Sequence, residues 1–169
     1  MPKTYSQIYF HYVFTPKYRN AWILPAFEEK LHKYIAGIID NLGQTLIQIN
    51  GMPDHIHILV RLKPNMSSSV FIQKVKANSS KWINEQKFLP EKFNWQTGGA
   101  VFSVDYRKVD IVKRYIANQK VHHSKKKNGF KKEFVKFLDS YDVDYEIDER
   151  VKGPFLEFLG VGELDKEVG

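Results

Sequence analysis

Apolar and polar side chains alternate with a period of two along His55-Ile56-His57-Ile58-Leu59-Val60-Arg61-Leu62. Successive side chains of a strand point to opposite faces. Ile56, Ile58, Val60 and Leu62 therefore share one face, which needs a core to pack on. His55, His57, Leu59 and Arg61 share the other, with the two histidines side by side, roughly 7 Å apart at Cβ. The expectation is that these histidines face outward.

The same periodicity marks a first strand over 5–15, with Ile8, Phe10, Tyr12 and Phe14 set against Gln7, Tyr9, His11 and Val13. Pro25 suits the first turn of a helix. Phe27, Leu31, Tyr34, Ile35, Ile38 and Leu42 form its stripe, and Gly43 sits where a helix ends. A second strand is expected over 46–50, joined to 55–62 by the turn Gly51-Met52-Pro53-Asp54. Ser67 or a neighbouring serine caps a second helix, with Phe71, Val75 and Trp82 inward and Lys74, Lys76 and Lys81 outward. After an aromatic, Gly-containing loop come a fourth strand over 100–104 and a third helix over about 105–123. A basic break, Ser124-Lys125-Lys126-Lys127-Asn128-Gly129, precedes a short helix over 130–138.

The order β-α-β-β-α-β followed by a helix is the split βαβ, or ferredoxin-like, pattern. It predicts an α+β fold in which an antiparallel sheet carries two helices on one face. The other face is left for a ligand or partner. Residues 1–138 are read as a single domain, and 139–169 as an acidic tail.

Composition adds limits. At 169 residues and 43% hydrophobic, the chain can bury one well-formed core. It has no cysteine, so disulfides and thiolate metal sites are excluded and a cytoplasmic location is expected. No apolar run approaches the roughly 20 residues of a membrane helix. Charge is unevenly placed: residues 137–169 hold ten Asp/Glu and three Lys/Arg, whereas residues 1–136 hold 23 Lys/Arg and nine Asp/Glu. A body so basic suits a polyanion, nucleic acid being the usual one.

Two adjacent imidazoles on one strand face can hold a divalent metal. A His-x-His pair alone says little, since plain strands contain it too. On the third helix, Val109, Val112 and Ile116 make the apolar stripe, and Tyr115 and Gln119, four apart, meet on one face beside it. Alone, that spacing also says little.

In combination these segments do say something. His11 and Phe14 are followed by Thr15-Pro16-Lys17-Tyr18-Arg19. Next come Met52-Pro53-Asp54-His55-Ile56-His57-Ile58-Leu59-Val60, then Trp95-Gln96 ahead of Gly99-Ala100-Val101-Phe102-Ser103-Val104. The series ends with Tyr115-Ile116-Ala117-Asn118-Gln119-Lys120-Val121-His122-His123. In this order the chain resembles the single-tyrosine HUH transposases of small insertion sequences, including the repeat-associated tyrosine transposases. The likeness runs from about Tyr5 to His123. Asp105-Tyr106-Arg107-Lys108 is more charged than the Ser-rich form of the family, and the acidic tail has no obvious role in the family.

The resemblance implies that Tyr115 is the catalytic nucleophile, that His55, His57 and Gln119 are metal ligands, and that the ion is magnesium or manganese. It implies a homodimer acting on single-stranded or hairpin DNA, cleaving and rejoining it through a 5′-phosphotyrosine. Lys17, Tyr18, Arg19, Lys74, Lys76, Lys81, Lys125, Lys126 and Lys127 are candidates for DNA contact. Tyr9, Tyr18, Trp82 and Trp95 are candidates for stacking on unpaired bases, with core packing the plainer role for Trp82. Two other readings fit the same residues: a domesticated relative acting on palindromic repeats, and a nonenzymatic nucleic-acid-binding module on a ferredoxin-like sheet.

Overall fold

The alternation in 55–62 becomes one of the two inner strands of a four-stranded sheet. The structure, a computed structural model, describes residues 3–123. The helix expected over 130–138, the acidic tail and Lys125–Lys127 lie outside the described residues. Strands β1 (Tyr9–Phe14), β2 (Thr45–Met52), β3 (His55–Arg61) and β4 (Ala100–Val104) lie in the order β2-β3-β1-β4, every neighbouring pair antiparallel. Helices α1 (Pro25–Asn41) and α2 (Ser68–Gln86) provide the two crossovers. This is the expected α+β arrangement.

One face of the sheet is an apolar core. Tyr12, Phe14, Ile56, Ile58 and Val60 meet Phe27, Leu31, Ile35 and Ile39 of α1 and Phe71, Val75 and Ile83 of α2, all buried. Local chemistry sets the helix ends. The Ser67 hydroxyl accepts from the Val70 N–H at 3.2 Å, satisfying one of the first-turn donors of α2. Gly43, at φ +75°, lets the chain leave α1 in a conformation that costs other residues strain. Gly51, in the β2–β3 hairpin, has no room for a side chain, because a Cβ would sit 2.2 Å from the His55 carbonyl oxygen.

Three expectations are corrected. The first strand is shorter than 5–15 and begins at Tyr9; Tyr5 is 92% exposed, with no core to alternate against. The third helix is not continuous over 105–123. A 3-10 turn over Tyr106–Lys108 leads into α3 (Val109–Ala117), and a break at Asn118 separates it from α4 (Gln119–His123). Finally, the second sheet face is not open. Leu59 and Val104 pack against Val112 and Ile116 of α3, so this face has a lid of its own.

Asp105 and Arg107, in the charged departure from the family pattern, have a local task here. The Asp105 carboxylate accepts from the Arg107 backbone N–H at 2.8 Å and from its guanidinium at 2.9 and 3.0 Å, shaping the turn into α3. Among the described residues, no helix is long and apolar enough to cross a membrane.

Candidate functional site

His55 and His57 point to the second face as the alternation requires, yet they are 0% and 1% exposed. They lie under α3 and α4 beside a third histidine, His11 of β1. In the β1–β3 register Val13 faces His57 and Leu59 faces His11, which makes His11 and His57 diagonal neighbours on one face. His11 Nε2 lies 2.8 Å from His57 Nδ1, with the rings stacked 5.1 Å apart. Burial pushes the His11 pKa down to about 4, so it is neutral at pH 7.

His55 is oriented from the other side. Its Nδ1–H donates to Asp54 Oδ1 at 2.7 Å, since a carboxylate can only accept. Asp54 in turn has the Arg19 guanidinium 3.7 Å away. Burial alone would raise the Asp54 pKa. The hydrogen bond from His55 and the nearby Arg19 guanidinium outweigh it and hold the carboxyl below its ordinary value. Asp54 therefore stays ionised and fixes which His55 nitrogen carries the proton.

Helix α3 places Tyr115 half-buried over this cluster, its ring edge-on to His57 at 5.8 Å between centroids. Tyr115 also packs against Leu59, Val104, Val112 and Ile116. Gln119 comes after the break and is 0% exposed, its Oε1 lying 3.2 Å from His55 Nε2. Tyr115 and Gln119 thus both face the histidines, but not from one continuous helix. They belong to two helical segments that meet at Asn118 (φ −95°, ψ 15°), Tyr115 reaching His57 and Gln119 reaching His55.

These donors could hold one divalent ion, and the contact geometry fits one. With His55 protonated on Nδ1, its Nε2 presents a lone pair toward the Gln119 amide oxygen. Two acceptors in contact repel unless a cation lies between them. Adjacent ligands of an octahedral magnesium-sized ion, bound at 2.0–2.1 Å, stand about 3 Å apart. Among the described residues no three His, Asp or Glu side chains are grouped to hold an ion, so an ion here would need the Gln119 oxygen beside the histidines.

The proposed DNA contacts sort unevenly. Lys17, Tyr18 and Arg19 form a 3-10 turn in which Tyr18 and Arg19 have positive φ, and Tyr18 is 61% exposed. Lys74 and Lys81 face solvent, Lys81 beside Glu85 at 4.0 Å. Lys76 does not point outward: its ammonium donates to the carbonyls of Gln96 and Gly98, and burial lowers its pKa to about 8. Trp95 is buried, with its indole N–H donating to Ser79 Oγ at 2.9 Å, and is a core residue, not a stacking platform. Trp82 stacks on Tyr34 at 4.5 Å, as its plainer role anticipated. Tyr9 is half-buried against the Leu59 cluster.

Two residues of the site received no role from the sequence. Asp54 directly precedes His55, and a carboxylate there is a signal for orienting the ring. His11 could have been found by pairing the first strand with the third, because both put their histidines on the same face.

The comparisons with known proteins bear on the family and the fold. The family model described as "Transposase IS200 like" matches residues 4–119. Over 81 residues the chain is 32% identical to the transposases for insertion sequence element IS200 of Salmonella typhimurium and Salmonella typhi. That stretch is 46% of this chain and spans about half of theirs, 51%. In fold, the chain is similar to a provisionally assigned transposase from Deinococcus radiodurans R1, with a TM-score of 0.57 and 21% identity; the match covers 70% of this chain and 98% of that one. It is also similar to a REP-associated tyrosine transposase solved bound to a REP hairpin, with a TM-score of 0.55, 14% identity and 73% of each chain covered. With a family model spanning both histidines, Tyr115 and Gln119, this chain belongs to the IS200-like transposase family.

Proposed function

We propose that the protein is a metal-dependent transposase that cuts and rejoins single-stranded DNA through Tyr115, with His55, His57 and Gln119 as the ligands of a magnesium or manganese ion. The observation that carries this is the convergence of four side chains from three elements. Gln119 Oε1 lies 3.2 Å from His55 Nε2, and the Tyr115 ring stands edge-on to His57 at 5.8 Å. When bound, the ion supplies Lewis acidity, polarising the scissile phosphate and offsetting the charge that develops on it.

The chain's own residues set up the rest. Asp54 keeps the His55 proton on Nδ1, so that Nε2 is the donor nitrogen. His57 binds through Nε2 when its Nδ1–H donates to His11 Nε2, which requires the neutral His11 to carry its own proton on Nδ1. The Tyr115 oxygen attacks phosphorus. The P–O bond to the 3′ carbon's oxygen breaks, and the products are a 5′-phosphotyrosine and a free 3′-hydroxyl. A phenol with pKa near 10 is only about one part in a thousand ionised at pH 7, so its proton must be removed as attack proceeds. The covalent bond conserves the energy of the cut, and a later 3′-hydroxyl attacks it to rejoin the strand.

One nucleophilic tyrosine per chain fits a homodimer, in which two cuts are made together. The exposed turn Lys17-Tyr18-Arg19 and the outer lysines of α2 suit phosphate and base contacts with hairpin or single-stranded DNA. Cytoplasmic DNA is the expected substrate.

The test mixes the full chain, manganese and a labelled single strand carrying an element end. A protein–DNA adduct that survives denaturation is expected, and it should be absent without metal and in Tyr115→Phe. Adduct formation by Tyr115→Phe would reject the nucleophile.

A further inference from the structure

The break at Asn118 is held from outside the helix. In a continuous helix the Val121 N–H would donate to the Ala117 carbonyl. Here it donates to the Asn118 carbonyl at 3.0 Å, and the Ala117 carbonyl accepts instead from the Asn50 side-chain amide at 3.1 Å. Asn50 belongs to β2 and pairs with His57 in the β2–β3 register. Its own Oδ1 is fixed by the Gly51 N–H at 2.9 Å.

Directly after Gln119, the Lys120 ammonium makes a second attachment. It donates to the Gly51 carbonyl, to Glu28 Oε1 of α1 at 2.6 Å, and reaches Asn50 Oδ1 at 3.5 Å. Three acceptors from two elements converge on a group with three donors. Gly51 itself is pressed against the His55 backbone, so the acceptor is set relative to that histidine. The two attachments bracket Gln119 on both sides, at Ala117 and at Lys120.

We propose that Asn50 and Lys120 are positioning residues for the third metal ligand. They anchor the segment on both sides of Gln119 to β2 and α1, and so fix where its amide oxygen stands relative to His55 Nε2. This inference rests on Gln119 being a ligand, and its test separates the two claims.

Manganese binding to the full chain, without DNA, is measured by titration calorimetry and by the spin-resonance signal of free manganese. Asn50→Ala and Lys120→Met should each weaken binding about tenfold, the low end of what losing an outer-shell partner costs. Lys120→Arg should restore it. On a Gln119→Ala background, neither substitution should weaken binding further. Lys120 is half-exposed, so Lys120→Met keeps the test valid if Asn50→Ala folds poorly, as judged by thermal unfolding. Weakening by Gln119→Ala, with wild-type affinity in both Asn50→Ala and Lys120→Met, would overturn the positioning claim alone. An equal further loss on the Gln119→Ala background would also overturn it, since the residues would then act through something else. Wild-type affinity in Gln119→Ala itself would remove the ligand reading and the clamp with it.

Discussion

Ile58 and His57 are neighbours in β3, and both are buried, at 0% and 1% exposure. One faces the apolar core under α1 and α2; the other faces His11, His55, Gln119 and Tyr115 under α3 and α4. By burial alone the two faces are alike. They differ in what burial does to each. On the first face it removes apolar surface from water, worth roughly 1.5–3 kcal/mol for a side chain of this size. On the second it strips water from imidazoles and an amide, which costs free energy unless partners replace it. That face is polar where the fold alone would have left it apolar, and this contrast, not depth, separates a site from a core.

The sharpest way to break the comparison is to cut each face at adjacent positions. His57→Ala should lower the rate of adduct formation per folded molecule by roughly 100-fold or more, because on the proposed mechanism it removes a ligand and not only an orienting partner. It should also cost stability, as His11 loses the group at its Nε2, an effect of about 1–3 kcal/mol. Ile58→Ala should do the reverse: about 2–5 kcal/mol of stability, with the rate per folded molecule unchanged. Denaturant unfolding and single-turnover adduct assays on both variants measure this. Equal rate losses in the two would mean that the second face is only more core.

Asp54→Asn should have an intermediate effect. It keeps the shape but removes the carboxylate that accepts from His55 Nδ1–H and faces Arg19. Manganese affinity should fall about 10–100-fold. Calorimetry at pH 7 checks it, and unchanged affinity would show that the proton on His55 needs no help from Asp54.

How much of this was legible beforehand depends on the range of the interaction that decides it. The split βαβ order and the opposite faces of His57 and Ile58 follow from periodicity, a local property of the sequence. The helix break at Asn118 does not. Val109, Val112 and Ile116 continue a helical pattern, and what interrupts it is a carbonyl captured by Asn50, 67 residues earlier in the chain. Gln119, beside the Val109, Val112 and Ile116 stripe, looked like a border residue and is fully buried. The lid over the histidines was also out of reach, because an open second face and a face covered by α3 have the same element order. The pairing of His11 with His57 lay between these extremes, readable once β1 and β3 are taken as neighbours.

Lys76 and Lys81 extend the contrast to α2 at the smallest scale. Both read as outward cations, but the Lys76 ammonium is held by the carbonyls of Gln96 and Gly98, while Lys81 has only Glu85, 4.0 Å away across an exposed turn. An exposed pair of that kind contributes about 0.3–0.5 kcal/mol. Lys81→Ala should therefore leave unfolding within roughly 0.5 kcal/mol of the wild type. If Lys81 contacts a phosphate, the substitution should also lower the slope of log affinity against log salt by about one for single-stranded or hairpin DNA. Lys76→Ala should leave that slope unchanged, since its charge is already engaged, and should instead loosen the loop that carries Gln96 and Gly98. Fluorescence anisotropy with labelled DNA over a salt series measures both. A lower slope for Lys76→Ala and not for Lys81→Ala would mean that DNA displaces the Lys76 ammonium from its carbonyls and that the outer row of α2 is solvated charge.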